Sequence, residues 1–222
     1  MNSCIKKYLC LLVSCFFSFF SVIGCSNNSS KCDVLFYGDS ITARGNFSDY
    51  FPDLNVINYG FGGATIEDLI SWVPRVNMKH PTKIFVLAGG NNLNSTNLEE
   101  CVDLYRNLLE SLLETCSYSK IYVESMLPID KQIGTKYNCP NNVIKSFNER
   151  IELLAQEYEL PYIDIYPAYE SGGGLKSELT EDGVHLKSDA YGPWVEIVRP
   201  YIESDTYHLS RESRHVSSLI KP

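Results

Sequence analysis

The sequence predicts an α/β protein built on a five-stranded parallel sheet with helices over both faces. Three observations carry that expectation. Short apolar runs alternate along the chain with longer stretches, those stretches repeat their apolar residues at helical spacing, and the body is long enough for one substantial core but gives little reason for two domains.

The body begins late. Lys6 and Lys7 precede an almost wholly apolar run from Tyr8 to Ile23, the pattern of a secretion signal and not of a core element. The run ends in Val22-Ile23-Gly24-Cys25, which resembles the lipobox of bacterial lipoproteins, so residues 1–24 are expected to be removed and Cys25 to become a lipid-modified first residue. An ordinary signal cleaved after Gly24, or a retained anchor, are the alternatives; the run falls short of the roughly 20 residues that span a bilayer. Residues 25–31 read as a polar tether, residues 32–202 as the domain, and residues 203–222 as a tail to which no role is assigned. The expected setting is the bacterial cell envelope, outside the cytoplasm, with the membrane reached through the lipid.

Within the domain, strands are expected at Val34–Tyr37, Val56–Tyr59, Lys83–Leu87, Lys120–Val123 and Tyr162–Ile165. A short helix is expected over 65–72. A longer one over 97–115 carries Leu98, Val102, Tyr105, Leu109 and Leu112 at helical spacing, with Thr96 and Glu99 as its capping box. Helices over 142–158 and 189–202 follow, the last with Pro193 near its first turns. In such a sheet ligands sit beyond the carboxyl ends of the strands, so the loops leaving the strands are the functional ones.

Charge narrows the partners. Without Lys6 and Lys7 the chain holds 17 basic against 27 acidic residues, and no Lys/Arg cluster interrupts the acidity. That disfavours nucleic acid and leaves a neutral ester, a sugar or a locally recognised anion open. The body cysteines Cys32, Cys101, Cys116 and Cys139 match no zinc spacing; Cys101 and Cys116 fall on the apolar side of one helix, as buried thiols would, although an exported chain could oxidise a pair.

Ser40 follows the first strand directly in Gly38-Asp-Ser-Ile41, where a serine could be lifted onto the catalytic rim or could merely cap a helix. The candidate base is His185, with Asp182 three residues before it and Gly183 between. A loop of that spacing can bring the carboxylate to Nδ1 and leave Nε2 facing a serine, the arrangement that covalent acyl transfer requires; a solvated helix-start loop is the plainer reading. A metal centre fits worse, since no histidine or cysteine cluster supplies further ligands. The glycine-rich loop Asn58–Thr65 and the loop Ala88–Asn92 offer N–H and amide donors for an oxyanion. Gly60-Phe-Gly62 lacks the third glycine of a dinucleotide fingerprint, and no cofactor is expected.

Four blocks, Gly38-Asp-Ser-Ile41, Gly60-Phe-Gly-Gly63, Gly89-Gly-Asn-Asn92 and Asp182-Gly-Val-His185, together resemble those of the SGNH hydrolases, or GDSL esterases and lipases, in the same order. The resemblance implies a flavodoxin-like three-layer α/β/α sandwich with a five-stranded parallel sheet. It implies Ser40 as nucleophile, His185 and Asp182 as its partners, and an oxyanion hole from the Ser40 N–H, the Gly63 N–H and the Asn91 side chain. Asn92 departs from the usual Gly-x-Asn-Asp, and Leu186 replaces a frequent proline. The expected activity is hydrolysis of small acyl esters, acetyl foremost, on a small molecule or glycan. A lysophospholipase, a short-chain lipase or thioesterase, an acyltransferase and a non-catalytic lipid-anchored glycan-binding domain are the alternatives. Arg44 and Asn92 are the candidates for touching substrate; Arg44 is equally suited to bond Asp49 or Asp53 at the surface.

Overall fold

A computed structural model describes residues 32–133 and 137–204. The expected leader, Cys25, the tether and residues 205–222 of the tail, including His208, lie outside the described residues.

The chain runs β1 (Val34–Gly38), α1 (Ser40–Ala43), α2 (Phe47–Tyr50), β2 (Val56–Gly60), α3 (Ile66–Asn77), β3 (Lys83–Leu87), α4 (Gly90–Leu93), α5 (Leu98–Thr115), β4 (Lys120–Glu124), α6 (Asn141–Glu157) and β5 (Tyr162–Ile163). After α7 (Tyr166–Tyr169), a small antiparallel hairpin of β6 (Glu170–Ser171) and β7 (Gly174–Leu175) leads to α8 (Gly192–Glu203). The first five strands form one parallel sheet in the order β2-β1-β3-β4-β5. Between β1 and β3 the direction of winding reverses, and an open sheet of this kind has its crevice there, at the carboxyl ends of the strands.

Every residue of β1, β3 and β4 is buried, because each strand has a packed layer on either side. Leu35, Tyr37, Ile84, Val86 and Val123 face α3, α5 and α6 through Leu69, Leu109, Phe147 and Ile151. Val34, Phe36, Phe85 and Tyr122 face the opposite layer, where Phe47 of α2 stacks on Phe36 at 3.8 Å and meets Trp194 of α8 edge-on at 5.2 Å. The result is a three-layer α/β/α sandwich. Cys32, Cys101, Cys116 and Cys139 are buried free thiols.

Several local expectations shift. The amides opening α5 are capped one residue later than Thr96, by Asn97, whose side chain accepts the Glu100 N–H at 2.9 Å. The reciprocal capping box belongs instead to α3, between Thr65 and Asp68. That helix continues five residues beyond the expected end, since Pro74 sits in its last turn and forfeits one hydrogen bond without blocking the carbonyl that Met78 uses. Strand β5 stops at Ile163 because the N–H groups of Ile165 and Tyr166 turn to the Ser125 hydroxyl. The stretch 189–202 splits into a 3-10 turn, Ser188–Tyr191, and α8, which extends through Glu203 into the segment expected to be tail. The β6–β7 hairpin was not expected; its signal is Gly172-Gly173, both at positive φ, as a tight hairpin turn demands.

Glu124 closes β4 almost without solvent contact, and its carboxylate accepts the Trp194 indole N–H at 2.6 Å. Burial pushes its carboxyl up to about 8, against the opposing pull of that bond. A folded-state value above the unfolded 4.5 means that the folded chain holds this proton longer. The associated stability is complete below about pH 4.5 and is lost as pH rises through about 8. Glu124→Gln, whose amide oxygen can still accept the indole N–H, is therefore expected to flatten the fall in stability over that window, where one group contributes at most about 1.4 kcal/mol per pH unit. Urea midpoints of wild type and variant measured across the window check this; parallel curves would refute it.

Candidate active site

The site is assembled at the switch point. β1 ends at Gly38 and α1 begins at Ser40, with Asp39 between them as N-cap, its carboxylate accepting the Ile41 N–H at 2.9 Å. The turn of α1 lies directly on the strand ends, an approach that leaves no room for side chains. A Cβ at Gly38 would come within 2.3 Å of the Leu87 carbonyl oxygen, and one at Gly60 within 2.3 Å of the Ala43 nitrogen. Asn58 stitches this contact, donating to the Thr42 and Gly45 carbonyls at 2.7 Å each and accepting from Gly60 N–H at 3.0 Å. From the other layer the Tyr191 hydroxyl donates to the Ile41 carbonyl at 2.6 Å.

Across from Ser40 stands the loop that carries Asp182 and His185. An isolated bridge between Thr180 and Leu186 closes it, and the Gly183 N–H donates to the Thr180 hydroxyl at 3.0 Å. The Asp130 N–H donates to the Gly183 carbonyl at 2.7 Å, and the nearly buried Asp130 carboxylate in turn accepts from Ser177 Oγ and the Gln132 N–H. This second cluster lies in a neighbouring hollow of about 540 Å³, and its carboxylate and the Asn141 amide are spent on holding chain segments together. Thr180 and Asp130 are positioning groups that sequence reading missed: Asp130 acts through the Gly183 carbonyl, far away in the chain, and Thr180 through a local turn that its own residue type does not announce.

The geometry joins the expected residues. Ser40 Oγ lies 2.8 Å from His185 Nε2, and His185 Nδ1 lies 2.6 Å from Asp182 Oδ2. Asp182 Oδ1 also accepts the backbone N–H groups of His185 at 2.8 Å and Val184 at 3.0 Å. Burial works to raise the Asp182 carboxyl, but these donors outweigh it and bring it down to about 2. An ionised carboxylate has no proton to give, so Nδ1 is the donor and the neutral imidazole presents Nε2 as acceptor to the serine hydroxyl. Asp39, immediately beside the serine, is raised to about 6 by burial, only partly offset by the Ile41 N–H and the nearby His185.

Ser40, Gly62, Gly63, Asn91 and His185 share one groove of about 640 Å³, to which Ile133, Tyr137 and Val184 add apolar side chains. The Ser40 N–H lies in the first turn of α1, where no intrahelical acceptor exists. The Asn91 amide donates one hydrogen to the Ala64 carbonyl at 2.8 Å, which fixes its orientation and leaves a second N–H. The glycine loop is held from outside: the Phe61 N–H donates to Gly38, and its ring packs on Tyr59 and Trp72.

Two expectations are corrected. Asn92 does not line the groove; it is 2% exposed, accepts the Ile66 N–H at 2.8 Å and donates to Glu67 Oε2 at 2.7 Å. Both ends of its amide are committed to the start of α3, so none is left for substrate, and the carboxylate at this junction comes from Glu67, which the Asn92 amide holds below its usual range. Arg44 does line the groove, but its carboxylate neighbour is Asp182 at 3.8 Å, not Asp49 or Asp53. His80 is an exposed residue before β3. Tyr137, Ile133 and Val184 were not anticipated as groove residues; nothing in their local sequence marks them.

Residues 36–192 match the model of the GDSL-like Lipase/Acylhydrolase family. An N-acylneuraminate cytidylyltransferase of Streptococcus agalactiae is 23% identical over 161 residues, which is 72% of this chain and 36% of that protein. The chain thus spans about a third of the length of the curated relatives it matches. A Streptococcus pneumoniae protein described as a platelet activating factor shares the fold with a TM-score of 0.69 at 22% identity, over 89% of this chain and 90% of that one. A carbohydrate acetylesterase family member from Sinorhizobium meliloti does so with a TM-score of 0.62 at 17% identity, over 77% and 97% of the two chains. With the family model matched across most of its domain, this chain belongs to the GDSL-like lipase/acylhydrolase family.

Proposed function

We propose that the enzyme removes small acyl groups, acetyl foremost, from a sugar or glycan, with Ser40 as nucleophile, His185 as base and Asp182 as the group that orients it. The observation that carries the roles is the unbroken chain from Ser40 Oγ through both ring nitrogens of His185 to Asp182. In the first half-reaction Ser40 Oγ attacks the ester carbonyl carbon as its proton passes to His185 Nε2. The oxyanion that forms is received by the N–H groups of Ser40 and Gly63 and the Asn91 amide. Collapse expels the alkoxide, which takes the proton from His185. Water then attacks the acyl-enzyme, gives its proton to His185, and the acid leaves as Ser40 Oγ recovers that proton.

The small-acyl reading is supported by the groove's lining, in which Ile133, Tyr137 and Val184 are the apolar side chains among the described residues. Two similarities lean the same way: a fold neighbour is a carbohydrate acetylesterase family member, and the curated relatives are named for a sugar acid, N-acylneuraminate. A lipid-anchored setting is supported by the sequence alone: Lys6-Lys7, the apolar run to Ile23 and the Gly24-Cys25 junction. We read the protein as an exported cell-envelope lipoprotein carrying diacylglycerol on Cys25.

Three outcomes follow. Ser40→Ala should lose more than about a thousandfold in kcat on p-nitrophenyl acetate; equal turnover by wild type and variant would sink the assignment. Each buried CH₂ of an acyl pocket would add about 0.8 kcal/mol, so kcat/KM should fall, not climb, along p-nitrophenyl esters from acetate to octanoate, with acetylated xylo-oligosaccharides and O-acetylated sialic acid as good substrates. A steady rise to octanoate together with turnover of a lysophospholipid would replace this reading by a lysophospholipase. Radioactive fatty acid should label the wild-type protein in membranes and not Cys25→Ala, whereas an unlabelled, freely soluble wild type would defeat the anchor.

A further inference from the structure

The groove holds a cation that the hydrolytic steps leave unused. Arg44 follows the last residue of α1, one turn from Ser40, with its backbone N–H on the Ser40 carbonyl at 3.3 Å. Its side chain is 53% exposed and opens onto the groove, where it is the one lysine or arginine among the lining residues described. The neighbouring carboxylate does not consume it. Asp182 Oδ2 already receives His185 Nδ1 at 2.6 Å and Oδ1 receives two backbone N–H groups, while Arg44 Nη1 stands at 3.8 Å, beyond hydrogen-bond reach. Between half-exposed groups such an ion pair is worth about 0–1 kcal/mol. Among the described residues the guanidinium makes no hydrogen bond, so its planar fork of N–H donors is unspent, in an otherwise strongly acidic protein.

Position assigns the half of the substrate that meets it. His185 must hand its proton to the departing alkoxide, so the alcohol half of the ester lies on the His185 side of Ser40. Arg44 stands on that same side, against the Asp182 that backs the histidine. The oxyanion donors come from the loop after β2, for Gly63, and from α4, which follows β3, for Asn91. Resting on the carbohydrate-ester reading above, we infer that the alcohol half is an acidic sugar, whose carboxylate or phosphate is taken by the Arg44 fork while Ser40 removes a neighbouring acyl group. A carboxylate matches the fork with two parallel N–H···O bonds, and a phosphate offers the same pair of oxygens.

The test compares three acetyl esters with matched rings: an acetylated methyl glucuronoside, the acetylated methyl glucoside that has CH₂OH in place of the carboxylate, and the corresponding glucoside phosphate. Each is measured with wild type, Arg44→Gln and Arg44→Lys, with p-nitrophenyl acetate as a common reference for folded, active enzyme. Wild type should favour at least one acidic sugar over the neutral one by about tenfold or more in kcat/KM, mainly through KM, as a charge-assisted bond of this kind supports. The preferred anion separates a carboxylate site from a phosphate site. R44Q should erase the preference while the neutral sugar remains a substrate, and R44K should keep part of it. Raising the salt concentration should shrink the wild-type preference and leave R44Q unaffected. Equal rates on acidic and neutral sugars in wild type would overturn the inference and spare the carbohydrate reading, as would an equal loss on every ester in R44Q, which would place Arg44's effect in its contact with Asp182. Turnover of p-nitrophenyl acetate with none of the three sugars would remove the carbohydrate reading itself and this inference with it.

Discussion

The site depends on one steric constraint, the close approach of α1 to the ends of β1 and β2 and of β1 to the end of β3. Gly38 and Gly60 lie opposite each other in the sheet register, and each faces a polar backbone atom at a distance that no Cβ could share. This contact allows the chain to turn from strand to helix in two residues and leaves Ser40 standing above the crevice. A side chain at Gly60 would push α1 outward, and one at Gly38 would collide with the β3 carbonyl of Leu87 and with the Thr42 side chain of α1. The 2.8 Å contact between Ser40 and His185, which is made across 145 residues of sequence, would be the first thing lost.

On the other side of the crevice rigidity comes from hydrogen bonds instead of close packing. The Asp182–His185 loop is short and carries no regular secondary structure, and alone it would have many conformations. Its backbone is pinned by Thr180, Leu186 and the N–H of Asp130, and Asp130 is itself tied to Ser177 and Gln132. Asp182 is thereby saturated by backbone and ring donors and stays ionised far below neutral pH, which keeps the histidine ring in one orientation. The short α4 is stiffened by the same kind of device: Asn92 spends both ends of its amide on α3, which frees Asn91 alone to face the groove.

Burial and charge are distributed unevenly around this frame. The acids that burial raises, Asp39 beside the serine and Glu124 beneath Trp194, are held by packing on the interior side. The acid that donors lower, Asp182, is half-exposed and shares the solvent edge with Arg44. The groove is therefore lined both by polar N–H groups and by one cation among the described residues.

The order of the five sheet strands and the four longer helices, the parallel sheet and the membership of Ser40, Asp182, His185, Gly63 and Asn91 in one neighbourhood were legible in the sequence. Each depends on a local pattern: apolar runs, helical spacing, glycines at strand ends, an Asp three residues before a His. Boundaries set by rival local options were less legible. Asn97 took the cap from Thr96 and Ser125 drew two amides away from β5, because the choice between neighbouring donors and acceptors is made by which ones the fold brings near. The direction of single side chains was not legible at all. Asn91 and Asn92 are the same residue side by side, yet one faces the groove and the other is buried against Glu67; Arg44 had acids near it in sequence and went to one 138 positions away. Sequence periodicity specifies which face of an element is apolar, whereas the partner of an individual polar group is set by the long-range packing that leaves some atoms within reach of a hydrogen bond and others not.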